Sequence, residues 1–304
     1  MAKVAICTPH GGKVLPEYYR HVLTMQNNSL GHTFFHMEVD LMIIGKARNI
    51  LVSETLARTE AEVLWFIDND IMIPPHAGVL IDQALKYGIV SGLYFNRHTP
   101  YTPQAYMLST EPGEKGLYEP IMKYPALGIM MVDAVGAGCL AINRKVVEEM
   151  GTAHAVRLKH AEELLEHKLR NDGKARKEYE WLMTYARTLS PWFEFLDQRG
   201  EDFYFCERAR EQGHPIFLNV EVKCIHVGTL GFSEGHFRYL IDNDLYVRMG
   251  TDGKPVEEKE MQDGEQDPSS GVSEDEQVPD TDAPSTGREA LEWSNLADGE
   301  PGGF

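Results

Sequence analysis

Cysteine is scarce in this 304-residue chain: there are four (Cys7, Cys139, Cys206, Cys224), all in apolar segments and none in a CxxC pair. That spacing gives no support for a cysteine-built zinc site, and it predicts reduced, buried thiols. Long apolar runs are missing too. None reaches the roughly 20 residues needed to span a bilayer, so no membrane insertion is expected. Lys3 to Cys7 enter a strand-like segment directly, without a small-residue cleavage site. This predicts a cytosolic protein with no secretory leader. A cationic excess is also missing: 29 Lys and Arg stand against 47 Asp and Glu, a formal net charge of -18. Residues 251–304 hold 16 of the acidic and 3 of the basic residues. Residues 1–250 are therefore nearly balanced, at about -5.

The chain does contain an alternation of strand-like and helix-like segments. Residues 3–8 read as a strand ending at Thr8-Pro9-His10-Gly11-Gly12, followed by a helix at 16–28. A short strand is expected at 36–40, a helix at 46–58, a buried strand at 62–67, a helix at 76–87 and a strand at 89–93. This order predicts an α/β fold with a mostly parallel mixed sheet flanked by helices. Residues 100–133 are Pro- and Tyr-rich and read as short antiparallel pieces or loops. Then come a strand at 135–142, a short helix at 144–150 and a polar helical stretch at 152–187. That stretch reads as an insertion over the mouth of the site. A helix at 202–212 stops at Gly213, and a strand covers 220–225. The expected division is residues 1–250 as one domain, with the helical insertion at about 152–190, and 251–304 as a disordered acidic tail.

Three places carry chemistry. In Val63-Leu64-Trp65-Phe66-Ile67-Asp68-Asn69-Asp70 an apolar run stops at two carboxylates one residue apart. In a strand, residues i and i+2 share a side, so both could reach one oxygen-loving divalent cation beside a phosphate-bearing ligand. Ile241-Asp242-Asn243-Asp244 repeats the letters in a polar, helix-like setting, and no chemistry is assigned to it. Glu201 and Asp202 open a helix, where the dipole favours carboxylates and would keep Asp202 ionised to accept an acceptor proton. His226 follows a strand and could complete a cation's coordination beside Asp70. Arg48 opens the second helix, either as an ordinary surface residue or facing a phosphate or base. Val135-Gly136-Ala137-Gly138-Cys139-Leu140-Ala141 fits a dinucleotide fingerprint in letters but sits too deep in the chain. Gly136 and Gly138 are better read as letting a bound sugar or acceptor approach the backbone.

Taken in order, these pieces resemble a GT-A glycosyltransferase of the DxD-containing kind found in phage and bacterial genomes. The match runs through Ala5-Ile6-Cys7-Thr8-Pro9, Lys46-Ala47-Arg48-Asn49, Phe66-Ile67-Asp68-Asn69-Asp70, Val135-Gly136-Ala137-Gly138-Cys139, Pro191-Trp192-Phe193, Gly200-Glu201-Asp202 and His226-Val227-Gly228. The resemblance implies that Thr8, Pro9 and Arg48 line the nucleotide pocket and that Asp68 faces the ribose or a metal-bound water. It further implies that Asp70, Asp68 and His226 serve manganese or magnesium, with Asp202 beside Glu201 as base. Trp192 would join Gly136 and Gly138 in the acceptor or sugar pocket. The implied reaction moves a sugar from a nucleotide sugar, a UDP-sugar by preference, to a hydroxyl. The acceptor would be a glycan or a hydroxymethylated base in phage DNA. The second expectation draws on the basic residues of the insertion, among them Arg157, Lys159 and Arg187, for which a solvated helix face is the first reading and DNA phosphates the alternative. A nucleotidyltransferase on a similar sheet is one alternative, although Gly11-Gly12-Lys13 is only a fragment of the phosphate loop it needs. A non-catalytic virion-associated protein is the other.

Overall fold

The computed structural model describes residues 1–41, 43–98, 100–110, 116–171, 176–196, 199–228 and 231–242. The acidic tail, the Leu291-Glu292-Trp293 patch within it, and Asn243-Asp244 of the second Asp-Asn-Asp copy lie outside the described residues.

The chain begins with β1 (Lys3–His10), α1 (Pro16–Asn28), β2 (Thr33–Asp40), α2 (Ile44–Arg58), β3 (Val63–Ile67), β4 (Ile71–Met72), α3 (Val79–Tyr87) and β5 (Ile89–Leu93). Short strands follow: β6 (Ala105–Leu108), β7 (Tyr118–Pro120), β8 (Ile129–Val132), β9 (Ala134–Val135) and β10 (Cys139–Asn143). Then come α4 (Arg144–Asn171), α5 (Arg176–Thr188), α6 (Glu201–Glu211), β11 (Ile216–Lys223), β12 (Ile225–Val227), β13 (Gly231–Phe232) and α7 (Glu234–Asp242). The central sheet has seven strands in the order β2-β1-β3-β10-β5-β11-β8. β2, β1, β3, β5 and β11 run one way; β10 and β8 run against them. This is the α/β, mostly parallel mixed sheet expected from the sequence.

The apolar runs explain the layering. A strand covered on both faces needs no polar side, and β3 is buried at all five positions. Leu64 and Phe66 enter one core with Ala5, Cys7, Ile89 and Leu93. Val63, Trp65 and Ile67 enter the other with Val4, Ile6 and Val90. On that second face α1 buries Tyr18, Val22 and Met25, one helical stripe, and α3 buries Leu80, Ile81 and Ala84. Each large side chain fully removed from water contributes about 1.5–3 kcal/mol, so this double layer holds the strand ends rigidly. All four cysteines are free and buried.

Two boundaries differ from expectation. The strand read at 135–142 is two strands, β9 and β10, broken at Gly136–Gly138. The short helix and the first half of the polar stretch are one helix, α4. The placement of the α4–α5 hairpin is a correction as well. β10 is antiparallel to β3, with Asn143 opposite Val63, so it delivers the chain to the end of the sheet away from Asp68. There Arg144 donates to the carbonyls of Leu56 and Thr59 at the C-terminus of α2, both at 2.9 Å. Farther along α4, Arg157 pairs with Glu211 at the last turn of α6, 3.8 Å away. These contacts seat the hairpin's base at the far end of α2 and α6, not over the mouth formed by their first turns.

Candidate active site

The C-terminal ends of β1, β3 and β5 point to one side, where open α/β sheets bind ligands. Asp68 follows β3, Tyr94 follows β5, and Arg48 lies in the first turns of α2. Arg48 Nη2 donates to both carboxylate oxygens of Asp68 at 2.9 Å, and its Nη1 donates to Glu201, the first residue of α6. Gly45 permits this approach of α2 to α6, since a Cβ there would lie 3.3 Å from Glu201 Cβ. Arg48 is 4% exposed, so the surface reading of that residue is overturned. Burial acts to lower its pKa, but the charges of Asp68 and Glu201 raise it overall, so the guanidinium stays charged. Its Nε is buried with no partner among the described residues.

Asp68-Asn69-Asp70 is a turn between β3 and β4, closed by the Ile71 N–H donating to the Asp68 carbonyl at 2.9 Å. The two carboxylates therefore do not share a strand face, as alternation would require, and each meets a different cation. Asp70 Oδ2 accepts from Arg97 Nη1 at 2.7 Å and faces His226 Nε2 at 3.3 Å. β12 positions His226 through its pairing with β4, and the Val227 N–H donates to the Asp70 carbonyl at 2.7 Å. In this structure Asp68 is paired with Arg48, apart from the Asp70–His226 group. Among the described residues no three His, Cys, Asp or Glu side chains are arranged to hold a metal.

Asp70 and His226 still fit a cation. His226 Nδ1 lies 2.8 Å from the Phe95 carbonyl, so that nitrogen carries the proton. A neutral ring then aims the Nε2 lone pair at a carboxylate oxygen, which is repulsive unless a proton or a metal ion lies between them. The His226 pKa reflects this: burial lowers it, while the Asp70 bond and charge and the Phe95 carbonyl outweigh burial and raise it. One carboxylate, one imidazole and substrate phosphates form a donor set that manganese or magnesium accepts.

Asp202 Oδ1 accepts the Phe203 N–H at 2.8 Å. Its pKa is raised to about 6, first by desolvation and then by the Glu201 charge, against the lowering effect of Arg48. The expectation that the helix dipole holds it low is corrected, because burial beside a second carboxylate outweighs the dipole. The result is a carboxylate that titrates close to neutral pH, as general bases do.

Tyr94 was not anticipated. Its Oη accepts the Gly138 N–H at 2.9 Å, and the Gly138 carbonyl accepts the Asp68 N–H at 3.0 Å. A Cβ on Gly136 would sit 2.1 Å from Tyr94 Oη, and one on Gly138 3.0 Å from its Cζ. The room left by both glycines is filled by Tyr94, which corrects their assignment to a bound sugar. Burial raises the Tyr94 pKa, as do the charges of Asp68 and Asp202, and its ring meets that of His226 edge-on at 5.8 Å. Tyr94 therefore feels the charge of Asp202 and meets the ring of His226. Tyr94 and Arg97 occupy the same kind of position as Asp68, just past a buried strand, and that signal was present in the sequence.

The remaining candidates make hydrogen bonds or packing contacts within the chain. Trp192 Nε1 donates to the Val147 carbonyl at 2.8 Å, so its indole anchors the loop to α4. Asn49 holds the same loop through both polar atoms of its amide, bonded to the Phe193 carbonyl and N–H. The Thr8 hydroxyl is bonded to Tyr18, and Thr8 and Pro9 are both buried. Phe195, 52% exposed, lies against Gly45 beside Glu201 and gives the mouth an aromatic edge.

No protein-family model and no curated protein matches the chain. Among solved structures it is similar to A197 from STIV, at 15% identity and TM-score 0.46, covering 78% of this chain and 92% of that one. A glycosyltransferase involved in the glycosylation of the major capsid of PBCV-1 is similar at 10% identity and TM-score 0.29, over 49% and 62% of the two chains. The nucleoside-diphosphate-sugar pyrophosphorylase from Vibrio cholerae RC9 is similar at 10% identity and TM-score 0.35, over 71% and 91%. The functional reading below rests on this chain's own residues. No helix among the described residues is long and apolar enough to cross a membrane.

Proposed function

We propose that the protein is a metal-assisted glycosyltransferase that moves a sugar from a nucleotide sugar, a UDP-sugar by preference, to an acceptor hydroxyl. One juxtaposition carries this reading. A carboxylate titrating near 6 (Asp202) and a carboxylate–imidazole pair that would accept a cation (Asp70–His226) both act on Tyr94, just past the end of β5. Asp202 takes the proton of the acceptor hydroxyl as its oxygen attacks the anomeric carbon, which favours inversion. Asp70 and His226 would hold manganese or magnesium, which supplies charge to the departing diphosphate. Arg48 keeps Asp68 and Glu201 in register and holds down the Asp202 pKa. The acceptor enters past Phe195, and its class, a glycan or a hydroxymethylated base in phage DNA, is the open half of the reaction.

The test is a panel of UDP-sugars and acceptors incubated with the full chain, with products read by mass spectrometry. Nucleotide release should stop in EDTA and return with manganese, and full release in EDTA would refute the metal assignment. Formation of a nucleotide sugar from a sugar 1-phosphate and a nucleoside triphosphate, without any transfer, would replace this reading with a nucleotidyltransferase.

A further inference from the structure

Two arginines meet the carboxylates of the Asp68-Asn69-Asp70 turn, and they differ in kind. Arg48 is 4% exposed and fixed by two carboxylates, whereas Arg97 is 44% exposed and pairs with Asp70. The Arg97 guanidinium donates to the oxygen, Asp70 Oδ2, that also faces His226. It therefore occupies the place next to the carboxylate that a divalent cation would take. We infer that Arg97 is the resident counter-ion of Asp70 and yields that place to the metal only when a diphosphate arrives to receive it, so that metal and nucleotide bind as a unit.

Charge supports the exchange. Asp70 and Arg97 together are neutral. A divalent ion arriving alone must displace or face a guanidinium, which like-charge repulsion opposes. The diphosphate of a sugar nucleotide carries two negative charges. With it present, Asp70, Arg97, the metal and the diphosphate sum to zero, and the guanidinium finds phosphate oxygens it can bind in bidentate fashion. Position supports it too. Arg97 lies two residues past Phe95, whose carbonyl orients His226. Its stretch of chain is closed by the Asn96 N–H to the Thr102 carbonyl at 2.8 Å and the His98 N–H to Asn96 Oδ1 at 3.2 Å. The Arg97 side chain is 44% exposed, open to a ligand arriving from solvent. The inference rests on the metal site in the proposed function and adds a positioning residue to it.

The experiment titrates manganese into the full chain, following free ion by electron paramagnetic resonance, with and without UDP. Wild type should bind manganese roughly tenfold or more tightly when UDP is present. Arg97→Ala should tighten manganese binding without UDP by roughly tenfold and weaken UDP binding to the manganese-loaded protein by a similar factor, so the coupling falls. Arg97→Lys, which keeps the charge, should recover part of it. Wild-type coupling that survives unchanged in Arg97→Ala would overturn the inference and leave the metal site standing. Manganese that binds neither wild type nor variant under any condition would overturn both.

Discussion

Replacing Asp202 by Asn should make the protein more stable and much less active, and the size of the first effect follows from the site. Asn keeps the shape and the acceptor that binds the Phe203 N–H, so the change removes only the ionisable group. The Asp202 pKa is raised from 3.8 to about 6, chiefly by desolvation and then by Glu201. Between those two values the folded protein holds a proton that the unfolded chain has lost. Wild-type stability therefore falls as pH rises through this window and stays lowered above it. The shift corresponds to about 3 kcal/mol at pH 8, shrinking to less than about 1 kcal/mol near pH 4.

The Asn variant lacks that penalty. In thermal melts at about pH 8 it should unfold about 6–12 °C above wild type, and near pH 4 the two should nearly coincide. Turnover should fall roughly 100- to 10,000-fold while donor binding, read by calorimetry, stays within a few-fold. An Asn variant that melts at or below wild type at pH 8 would refute the buried-carboxylate account. Collapse of donor binding would place Asp202 on the donor side and refute its role as base.

Arg48→Met should be the opposite case. It leaves Asp68 and Glu201 without their cation, at a cost of about 3 kcal/mol, visible as a lower melting temperature. Because Arg48 lowers the Asp202 pKa, its loss should also move the acid limb of the pH–rate profile upward from about 6. Gly136→Ala should drive a methyl group into Tyr94 Oη and destabilise by about 1–3 kcal/mol, and adding Tyr94→Phe should recover part of the loss, as a double-mutant melt would register.

What was legible in the sequence was whatever one segment encodes by itself. Five apolar residues of β3, buried on both faces, followed by Asp-Asn-Asp, announce a core strand and a polar turn at its end without help from elsewhere. Gly213, at φ 82, ends α6 in the left-handed conformation expected of it. The pairings were not legible. Arg48 and Glu201 are 153 residues apart in sequence, and Gly138 and Tyr94 are 44 apart. Neither the buried state of Arg48 nor the use of Gly136 and Gly138 could be read from local composition.

The same cause explains the Asp202 error. Helix position alone says that a first-turn carboxylate has a low pKa. The fold adds burial and a neighbouring carboxylate, and the sign reverses. The misplaced hairpin came from strand direction, since only the antiparallel course of β10 shows that α4 starts away from the site. The chemistry depends on this non-local layer. Asp68, Asp70, Glu201 and Asp202 are four acids that would repel one another if brought together alone. Arg48 is shared by Asp68 and Glu201, Arg97 and His226 face Asp70, and among the described residues Asp202 has no ion-pair partner of its own. Burial and the Glu201 charge raise its proton affinity, and the proposed reaction assigns the base to this carboxylate.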